Sequence, residues 1–232
     1  MKRLSVFILF LLLVLPACVA GKSYSPEETF KKNFPDRSFE SITATPIAGV
    51  YEVYTGNQLF YYAPKANLLI YGNLVTKDGV SLTRDSYLKK MAPKMAKLPL
   101  DDALKIGSGK NVIIEFLDPD CYHCRESYKY FSRRKDVTIY TFFYPLSQQS
   151  ENKIRHILCS PDKLKTYEEA MTGKFDNNAK LNACKNAKVE ETIKTHKRLA
   201  AQIGIRSTPF FYFKGQVIDG FEAPVFEQLL KK

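Results

Sequence analysis

The sequence predicts a two-domain protein of mixed α and β structure, in which a small β-rich domain precedes a larger α/β domain. Residues 39–82 hold short runs of β-branched and aromatic residues between turn signals, and residues 85–106 carry apolar residues at helical spacing. From residue 110 onward strand and helix patterns alternate, which is typical of an α/β domain with a mixed sheet. Together these patterns predict a β-rich unit, a helical linker and an α/β unit.

The first domain, residues 21–84, is predicted to be a series of short strands joined by tight turns. Gly56-Asn57 suits a two-residue hairpin. A sheet of about sixty residues buries only a modest fraction of its surface, and an unpaired edge strand offers a place for a second chain. We therefore expect this domain to dimerise the protein. The predicted strands are Val50–Tyr54, Leu59–Tyr62, Leu68–Tyr71 and Leu74–Val75.

A helical linker is predicted over residues 85–109. Asp85 is a plausible N-cap, and apolar residues then follow at spacings of three and four. Pro93 falls inside this run, so the helix is expected to kink or break into two pieces. Gly107-Ser108-Gly109 closes the connection.

The second domain, residues 110–232, begins with a buried strand and a helix. A second strand follows, then a long polar helical stretch from about 148 to 202, a hairpin across Lys214-Gly215 and a terminal helix. The predicted strands are Val112–Leu117, Val137–Tyr144, Phe210–Phe213 and Gln216–Ile218, and the predicted flanking helices are Glu126–Arg134 and Ala223–Leu230.

The first twenty residues are predicted to be a secretory signal. Lys2 and Arg3 precede an apolar run that is too short for a membrane span, and small residues lead to a cleavage site after Ala20. Export from the cytoplasm follows. The alternative is a lipoprotein signal, with Cys18 acylated and retained as an anchor.

Cleavage after Ala20 would leave an even number of cysteines in a compartment where disulfides persist. Four cysteines allow three pairings, and local spacing favours one close pair and one pair 25 residues apart. The mature net charge is 33 − 24 = +9, because the signal carries two of the 35 basic residues and none of the 24 acidic ones. The basic residues are scattered, which argues against a nucleic-acid partner. The four cysteines left after cleavage are Cys121, Cys124, Cys159 and Cys184.

The segment Cys121-Tyr122-His123-Cys124 lies between the predicted strand and the predicted helix. At a helix N-terminus the unpaired backbone N–H groups and the helix dipole favour an anion, so a thiolate there is stabilised and reactive near neutral pH. This placement predicts disulfide-exchange chemistry. A zinc site built with Cys159 and Cys184 is the alternative, but their spacing is wrong for a second close pair.

Glu115 lies six residues before Cys121, inside an otherwise apolar strand. Alternation places it on one face with Ile113 and Leu117, and burial of an unpaired carboxylate is costly. We therefore expect a buried general acid/base for Cys124. The alternative is an edge strand in which Glu115 is solvated.

A second chemical signal is Thr208-Pro209, directly before an apolar strand. A cis bond there would turn the chain sharply and leave the Thr208 backbone free for a substrate. On its own this dipeptide is weak evidence.

Taken together, these residues resemble a known family. Glu115 to Cys124, Thr208-Pro209 and the hairpin from Gly215 to Phe221 resemble a thioredoxin fold, and Pro46 to Tyr51 with its hairpins resembles the dimerisation domain of the DsbC/DsbG disulfide isomerases. Cys159 and Cys184 are similar to that family's second, structural cysteine pair. The resemblance implies a V-shaped homodimer whose two catalytic thioredoxin domains, each with a helical insertion, face a cleft.

The resemblance also implies a role for each residue of the site. Cys121 would be the exposed nucleophile and Cys124 the buried resolving cysteine, while Tyr122, Thr208 and Pro209 would contact substrate. No metal or organic cofactor is implied. The implied partners are misfolded exported proteins with disulfides and a membrane electron donor of the DsbD type.

His123 departs from the familiar isomerase dipeptide, which is Gly-Tyr. A histidine beside the thiolate stabilises it electrostatically and makes the disulfide more oxidising. The predicted function is thus a periplasmic thiol-disulfide oxidoreductase that isomerises or reduces wrong disulfides. The alternatives are a dithiol oxidase and a holdase-type chaperone with incidental cysteines.

Overall fold

A computed structural model describes residues 25–177, 180–181, 184 and 186–231. The expected signal peptide, residues 1–20, and the alternative anchor Cys18 lie outside the described residues. Within the described part of the chain, no helix is both long and apolar enough to cross a membrane.

The N-terminal unit is a four-stranded antiparallel sheet with strands in chain order. Helix α1 (Pro26–Asn33) buries Phe30 completely among aromatic side chains of this sheet. Ser25 caps α1 by accepting a hydrogen bond from the Glu28 backbone N–H. The strands are β1 (Ser41–Ala44), β2 (Tyr51–Tyr54), β3 (Leu59–Ala63) and β4 (Leu68–Ile70).

Three elements of this unit differ from the sequence prediction. Helix α1 and strand β1 were not expected, and the strand expected at Leu74–Val75 is wrong, because Val75 makes only an isolated bridge with Ser81. That segment lies just before the next helix. Its backbone is held by that helix rather than by strand pairing, because Thr83 Oγ1 accepts a hydrogen bond from the Leu74 N–H at 2.7 Å.

Helix α2 (Leu82–Met95) follows, and its expected start and break are both wrong. Ser81, not Asp85, is the N-cap, since its hydroxyl accepts a hydrogen bond from the Arg84 N–H at 3.2 Å. The helix also continues through Pro93. Because Pro93 lies in the last turn, its missing N–H removes a single helical hydrogen bond, and fully buried Met95 holds that turn against the core.

The C-terminal unit is a five-stranded sheet in the order β5-β7-β6-β8-β9. Strands β6 and β7 are parallel, and all other neighbours are antiparallel. The strands are β5 (Leu104–Gly107), β6 (Asn111–Leu117), β7 (Val137–Phe143), β8 (Phe210–Phe213) and β9 (Gln216–Asp219).

Strand β5 corrects the predicted extent of the linker. Residues 104–107 were assigned to the linker 85–109, but they pair with β7 as an edge strand of the second sheet. Four residues are too few for their alternation to be distinguished from an irregular connection. A short helical turn, Leu100–Asp102, separates β5 from the end of α2.

The polar helical stretch predicted from about 148 to 202 consists of three helices. These are α4 (Gln148–Cys159), α5 (Lys163–Met171) and α6 (Ala187–Ile203), inserted between β7 and β8. Helix α3 (Tyr122–Phe131) follows β6, and α7 (Ala223–Lys231) ends the described chain. The two faces of β6 belong to different hydrophobic clusters. Ile113 packs with α7, and Ile114 packs with α2 and α6.

The two units meet where Tyr87 of α2 contacts the end of α6. The Tyr87 hydroxyl lies 2.9 Å from both the Asn57 carbonyl of the first unit and the Gly204 carbonyl of the second. Gly204 is the C-cap of α6 with φ +97°, and a Cβ at this position would overlap the Tyr87 hydroxyl.

We predict that Gly204→Ala lowers the free energy of unfolding by about 2 kcal/mol, through left-handed backbone strain and displacement of Tyr87. Gly215→Ala is the matched control, because Gly215 has φ +79° and nothing within 4 Å of a Cβ. It should cost only about 1 kcal/mol. Urea unfolding of both variants tests this, and equal losses would contradict the interface role of Tyr87.

Candidate active site

The first cysteine of the motif lies at the junction of β6 and α3. Cys121 is the N-cap of α3 with extended backbone angles, and the helix begins at Tyr122, four residues before the predicted start. Cys124 therefore falls in the first turn and is fully buried, whereas Cys121 is partly exposed. The two cysteines are free thiols.

Asp118 fixes the loop that leads into the helix. Its buried carboxylate accepts a hydrogen bond from the Asp120 N–H at 2.6 Å and another from the Leu146 N–H at 2.6 Å. Sequence reasoning did not assign a role to this residue. Because the loop is tied both to itself and to the segment after β7, Cys121 is held in place before any substrate arrives.

The surroundings of Cys121 favour its anion. The Cys124 thiol, as hydrogen-bond donor, lowers the pKa of Cys121 most, and burial opposes it. Thr208 and the backbone N–H groups of Cys124 and His123 lower it further, and the net result is a pKa of about 5. This cysteine is therefore a thiolate at neutral pH.

The surroundings of Cys124 have the opposite effect. Burial raises the pKa of Cys124 well above its usual range, and the hydrogen bond to Cys121 raises it further. One turn of helix thus separates a stable thiolate from a protonated thiol. Such a pair can attack and then resolve a disulfide in a fixed order.

Thr208 and Pro209 lie directly beside the reactive sulfur. The Cys121 thiol, when protonated, donates to the Thr208 carbonyl at 3.3 Å. The Thr208–Pro209 peptide bond is cis. The Thr208 hydroxyl is buried and makes no hydrogen bond within the part of the chain that the structure describes. It lies near Cys121, however, and lowers the pKa of that thiol.

Glu115 is buried in the middle of the sheet. Strand β6 lies between β7 and β8, so the alternative of a solvated edge strand is wrong. Only 2% of Glu115 is exposed, and its carboxylate accepts a hydrogen bond from the Thr141 hydroxyl at 2.6 Å. Burial raises the pKa of Glu115 to about 7, and the bond from Thr141 limits that rise.

Tyr122 and His123 lie on the surface of the same helical turn. Their rings meet edge to face, with centroids 5.3 Å apart, and both residues are exposed. His123 lowers the pKa of Cys121 through a hydrogen bond from its backbone N–H group.

Cys159 and Cys184 are joined by a disulfide, with their Cα atoms 5.8 Å apart. The bond closes a loop of 25 residues in sequence and packs against the core of the helical insertion. A four-cysteine metal site is therefore not formed. Among the residues described, no group of three or more His, Cys, Asp or Glu side chains is placed to hold a metal ion.

A charge cluster connects that closed loop to the reactive loop. The Lys153 ammonium, only 1% exposed, contacts both Asp120 and Asp176. Arg125 of α3 binds Asp176 through two hydrogen bonds of 2.7 and 2.8 Å and also donates to the Pro119 carbonyl at 2.7 Å. The cluster ties α3, α4 and the disulfide-closed loop together immediately beside Cys121.

Two family models match the chain. The model of the disulfide bond isomerase protein N-terminal domain matches residues 19–84, and that of the thioredoxin-like domain matches residues 99–232. A probable thiol:disulfide interchange protein DsbC from Bordetella avium is 31% identical over 216 residues, which cover 86% of this chain and 75% of the relative.

The chain belongs to the DsbC family of thiol:disulfide interchange proteins. The thiol:disulfide interchange protein DsbC of Salmonella typhimurium is 25% identical over 232 residues, covering 94% of this chain and 91% of that protein. A disulfide interchange protein from Neisseria gonorrhoeae has a solved structure that is 29% identical, covers 58% of this chain and 96% of its own, and gives a TM-score of 0.49.

Family membership makes this chain a thiol-disulfide oxidoreductase with a thioredoxin-like catalytic domain. The site of this DsbC-family member contains residues that sequence reasoning missed. Asp118, Lys153 and Asp176 are ordinary charged residues in the sequence, and only the fold brings them together. Tyr167 was also missed, because its position in a polar helix gave no sign that α5 buries it against β7 and α3.

The difference between the two free thiols predicts their labelling by iodoacetamide. In the reduced protein, labelling of Cys121 should rise with a midpoint near pH 5, since only the thiolate reacts. Cys124 should remain unlabelled at neutral pH, because burial keeps it protonated and inaccessible. Peptide mass mapping measures both, with urea-unfolded protein as the control in which the two cysteines react alike. Equal rates in the folded protein would contradict the assigned environments.

Proposed function

We propose that this DsbC-family enzyme isomerises or reduces non-native disulfides in exported proteins, with Cys121 as nucleophile and Cys124 as resolving cysteine. The observation that carries this proposal is the pairing of a partly exposed cysteine of low pKa with a buried cysteine of high pKa one helical turn away. No metal or organic cofactor takes part in the proposed reaction.

The reaction has two steps. The Cys121 thiolate attacks one sulfur of a substrate disulfide, forming a mixed disulfide and releasing the other substrate sulfur as a thiolate, which takes up a proton. A substrate thiolate then attacks the mixed disulfide and regenerates Cys121, giving isomerisation without net redox change. Alternatively Cys124 attacks Cys121, and the substrate leaves as a dithiol while the enzyme becomes a disulfide.

Tyr122, Thr208 and Pro209 are the proposed substrate contacts. Tyr122 is 69% exposed beside Cys121, and the Thr208 carbonyl lies within hydrogen-bonding distance of the reactive sulfur. An extended substrate segment at this position would pair with the Thr208 backbone and pack on the Tyr122 ring.

Glu115 is the proposed general base for Cys124, because a carboxyl group with a pKa of about 7 can accept a proton at the pH at which the enzyme works. His123 is proposed to stabilise the thiolate through its ring, but solvent screens an exposed group. We expect its effect to be smaller than that of the fixed hydrogen-bond donors around Cys121.

The N-terminal domain, residues 21–84, is proposed to form a homodimer through the free edge of its sheet. Strand β4 is the last strand of that sheet, and exposed apolar side chains lie on and just after it. A second copy of the chain could extend the sheet there and cover them. The residues are Leu68, Ile70, Tyr71, Val75 and Val80, which are 43 to 63% exposed.

The proposed location is the periplasm, reached through the predicted signal at residues 1–20, with lipidation at Cys18 as the alternative. A membrane electron donor of the DsbD type would keep Cys121 reduced. A dithiol oxidase is the second candidate function, because a low Cys121 pKa favours the dithiol form and so an oxidising pair. A chaperone of the holdase type is the third.

The redox state of Cys121 in cells separates the first two functions: a mostly reduced protein supports isomerase or reductase, and a mostly oxidised one supports oxidase. The double variant Cys121→Ser, Cys124→Ser separates the third, because a pure holdase would keep its activity.

We predict that Cys124→Ser accumulates mixed disulfides with client proteins and that Cys121→Ser accumulates none. Without Cys124 the Cys121 adduct has no internal route of release, whereas without Cys121 the adduct cannot form. Non-reducing electrophoresis followed by mass spectrometry measures the adducts. Adducts on the Cys121→Ser variant, or none on either, would refute the assigned roles.

We predict that Ile70→Lys converts a dimer into a monomer, because a lysine on an edge strand opposes pairing with a second chain. Sedimentation velocity at micromolar concentration measures the state. Lys65→Ala in the preceding turn is the control and should leave the dimer intact. A wild-type protein that sediments as a monomer would end the dimer proposal.

A further inference from the structure

A cavity of about 560 Å³ lies where the two units meet, beside helix α2. Its wall combines Asn57 and Gln58 from the turn between β2 and β3, Arg84 and Tyr87 from α2, and Arg206 from the segment that precedes the cis peptide bond. Pockets that bind ligands typically have volumes of about 300 to 1,000 Å³. The cavity is therefore large enough to hold part of another molecule.

The wall of this cavity is positively charged. Two arginines line it, and none of the described residues around it is Asp or Glu. Arg84 is already paired, since it contacts the Asp219 carboxylate at 3.3 Å and donates to the Asp219 carbonyl at 2.9 Å. Arg206 is exposed, and its guanidinium makes no hydrogen bond or ion pair within the described ranges. The charge of Arg206 is therefore left without a counter-charge.

Arg206 connects this cavity to the reactive sulfur. The Cys121 thiol lies 3.3 Å from the Thr208 carbonyl, and Arg206 is two positions earlier in the chain. Two residues span at most about 7 Å, so the backbone of Arg206 lies close to the place where a client chain would meet Thr208. The loop between them is fixed, because the Ser207 hydroxyl donates to the Asp219 carboxylate at 3.2 Å and helix α2 binds the same carboxylate.

We propose that this cavity binds an acidic side chain of the client polypeptide whose cysteine is joined to Cys121, and that Arg206 recognises the carboxylate. The proposal rests on the proposed function of Cys121 as nucleophile. In a client chain extended along the Thr208 backbone, a residue three positions from the cysteine lies about 10 Å from it, which is far enough to reach Arg206. The planar guanidinium suits a carboxylate, because it can donate two parallel hydrogen bonds to the two oxygens.

The first unit completes the proposed site. Asn57 and Gln58 are both exposed in the turn that lines the cavity, and side-chain amides can donate to or accept from the backbone of a client. A small free anion would leave most of the 560 Å³ empty, whereas a peptide segment fills it. The site is therefore built by both units, and its proposed occupant is a stretch of client chain.

The test measures how fast Cys121 reacts with synthetic peptides of different charge. Each peptide has one cysteine joined to a chromogenic aromatic thiol, and one variable residue, glutamate or lysine, placed either three positions before or three positions after that cysteine. The Cys121 thiolate of the reduced full-length protein attacks the peptide sulfur and forms a disulfide with it, and the aromatic thiolate leaves with the electron pair of the broken bond. The absorbance of the released thiolate gives the second-order rate constant.

We expect the glutamate peptide to react at least about threefold faster than the lysine peptide in one of the two placements, because the cavity lies on one side of Thr208. The readout is the ratio of the two rate constants, since a change in the reactivity of Cys121 itself affects both peptides alike. Arg206→Glu should invert the ratio. Arg133→Glu is the matched control and should leave the ratio unchanged, because Arg133 is also exposed but lies beyond the far end of α3, outside the cavity.

A second pair of variants tests the contribution of the first unit. Gln58→Glu places a negative charge on the cavity wall with little change in shape, so it should reduce the preference for glutamate. Gln228→Glu adds the same charge on the exposed face of α7, outside the cavity, and should have no effect. An undiminished preference in Gln58→Glu would remove the first unit from the proposed site.

Three outcomes would overturn the proposal. An equal preference in both placements, or an equal change of the ratio in Arg206→Glu and Arg133→Glu, would show that the net charge of the protein attracts acidic peptides without a defined site. A wild-type protein that reacts with all peptides at one rate has no such site, although its nucleophile stands. If no peptide reacts, the assignment of Cys121 as nucleophile fails, and the site for the acidic side chain fails with it.

Discussion

The negative charge on Cys121 is the constraint around which the catalytic domain is organised. A thiolate needs hydrogen-bond donors that are fixed before it forms, and the start of α3 supplies them from the Cys124 thiol and from backbone N–H groups. That arrangement requires β6 to end at Leu117 and the loop after it to be rigid. The buried carboxylate of Asp118 provides this rigidity by binding backbone on two segments.

The same constraint explains why two cysteines three positions apart behave so differently. Residue 121 is an N-cap and reaches solvent, while residue 124 points into the core with Leu117 and Tyr167. A stable thiolate and a protonated thiol therefore lie within one helical turn of each other. In the proposed reaction the order of the two steps follows from this asymmetry, since the buried sulfur can attack only an adduct that is already bound to Cys121.

Sequence patterns were sufficient for the central architecture and the reactive pair. Strands β6, β7, β8 and β9 lie within one or two residues of their predicted bounds, because each combines strong apolar character with clear turn signals. Burial of Glu115 followed from alternation. The predictions that failed concern elements that are short or that are defined by contacts between residues distant in the sequence. Strand β5 is defined by its pairing with β7.

The charge cluster of Lys153 and Asp176 illustrates a different limit. Both residues look like solvated surface charges in the sequence, yet Lys153 is almost completely buried, and its partners lie 33 and 23 positions away. Pair interactions over such separations leave no periodic signal in a single sequence. They nonetheless link the insertion to the reactive loop.

Asp176 reaches Arg125 from a loop that the Cys159–Cys184 disulfide closes. The chain therefore carries one cysteine pair that is joined in the structure and another that must be reduced for the proposed isomerase or reductase reaction. In one compartment, one pair can stay oxidised while the other is reduced only if the two pairs have different reduction potentials. A reductant that serves the proposed reaction would therefore have to reduce the Cys121–Cys124 pair and leave the Cys159–Cys184 disulfide intact.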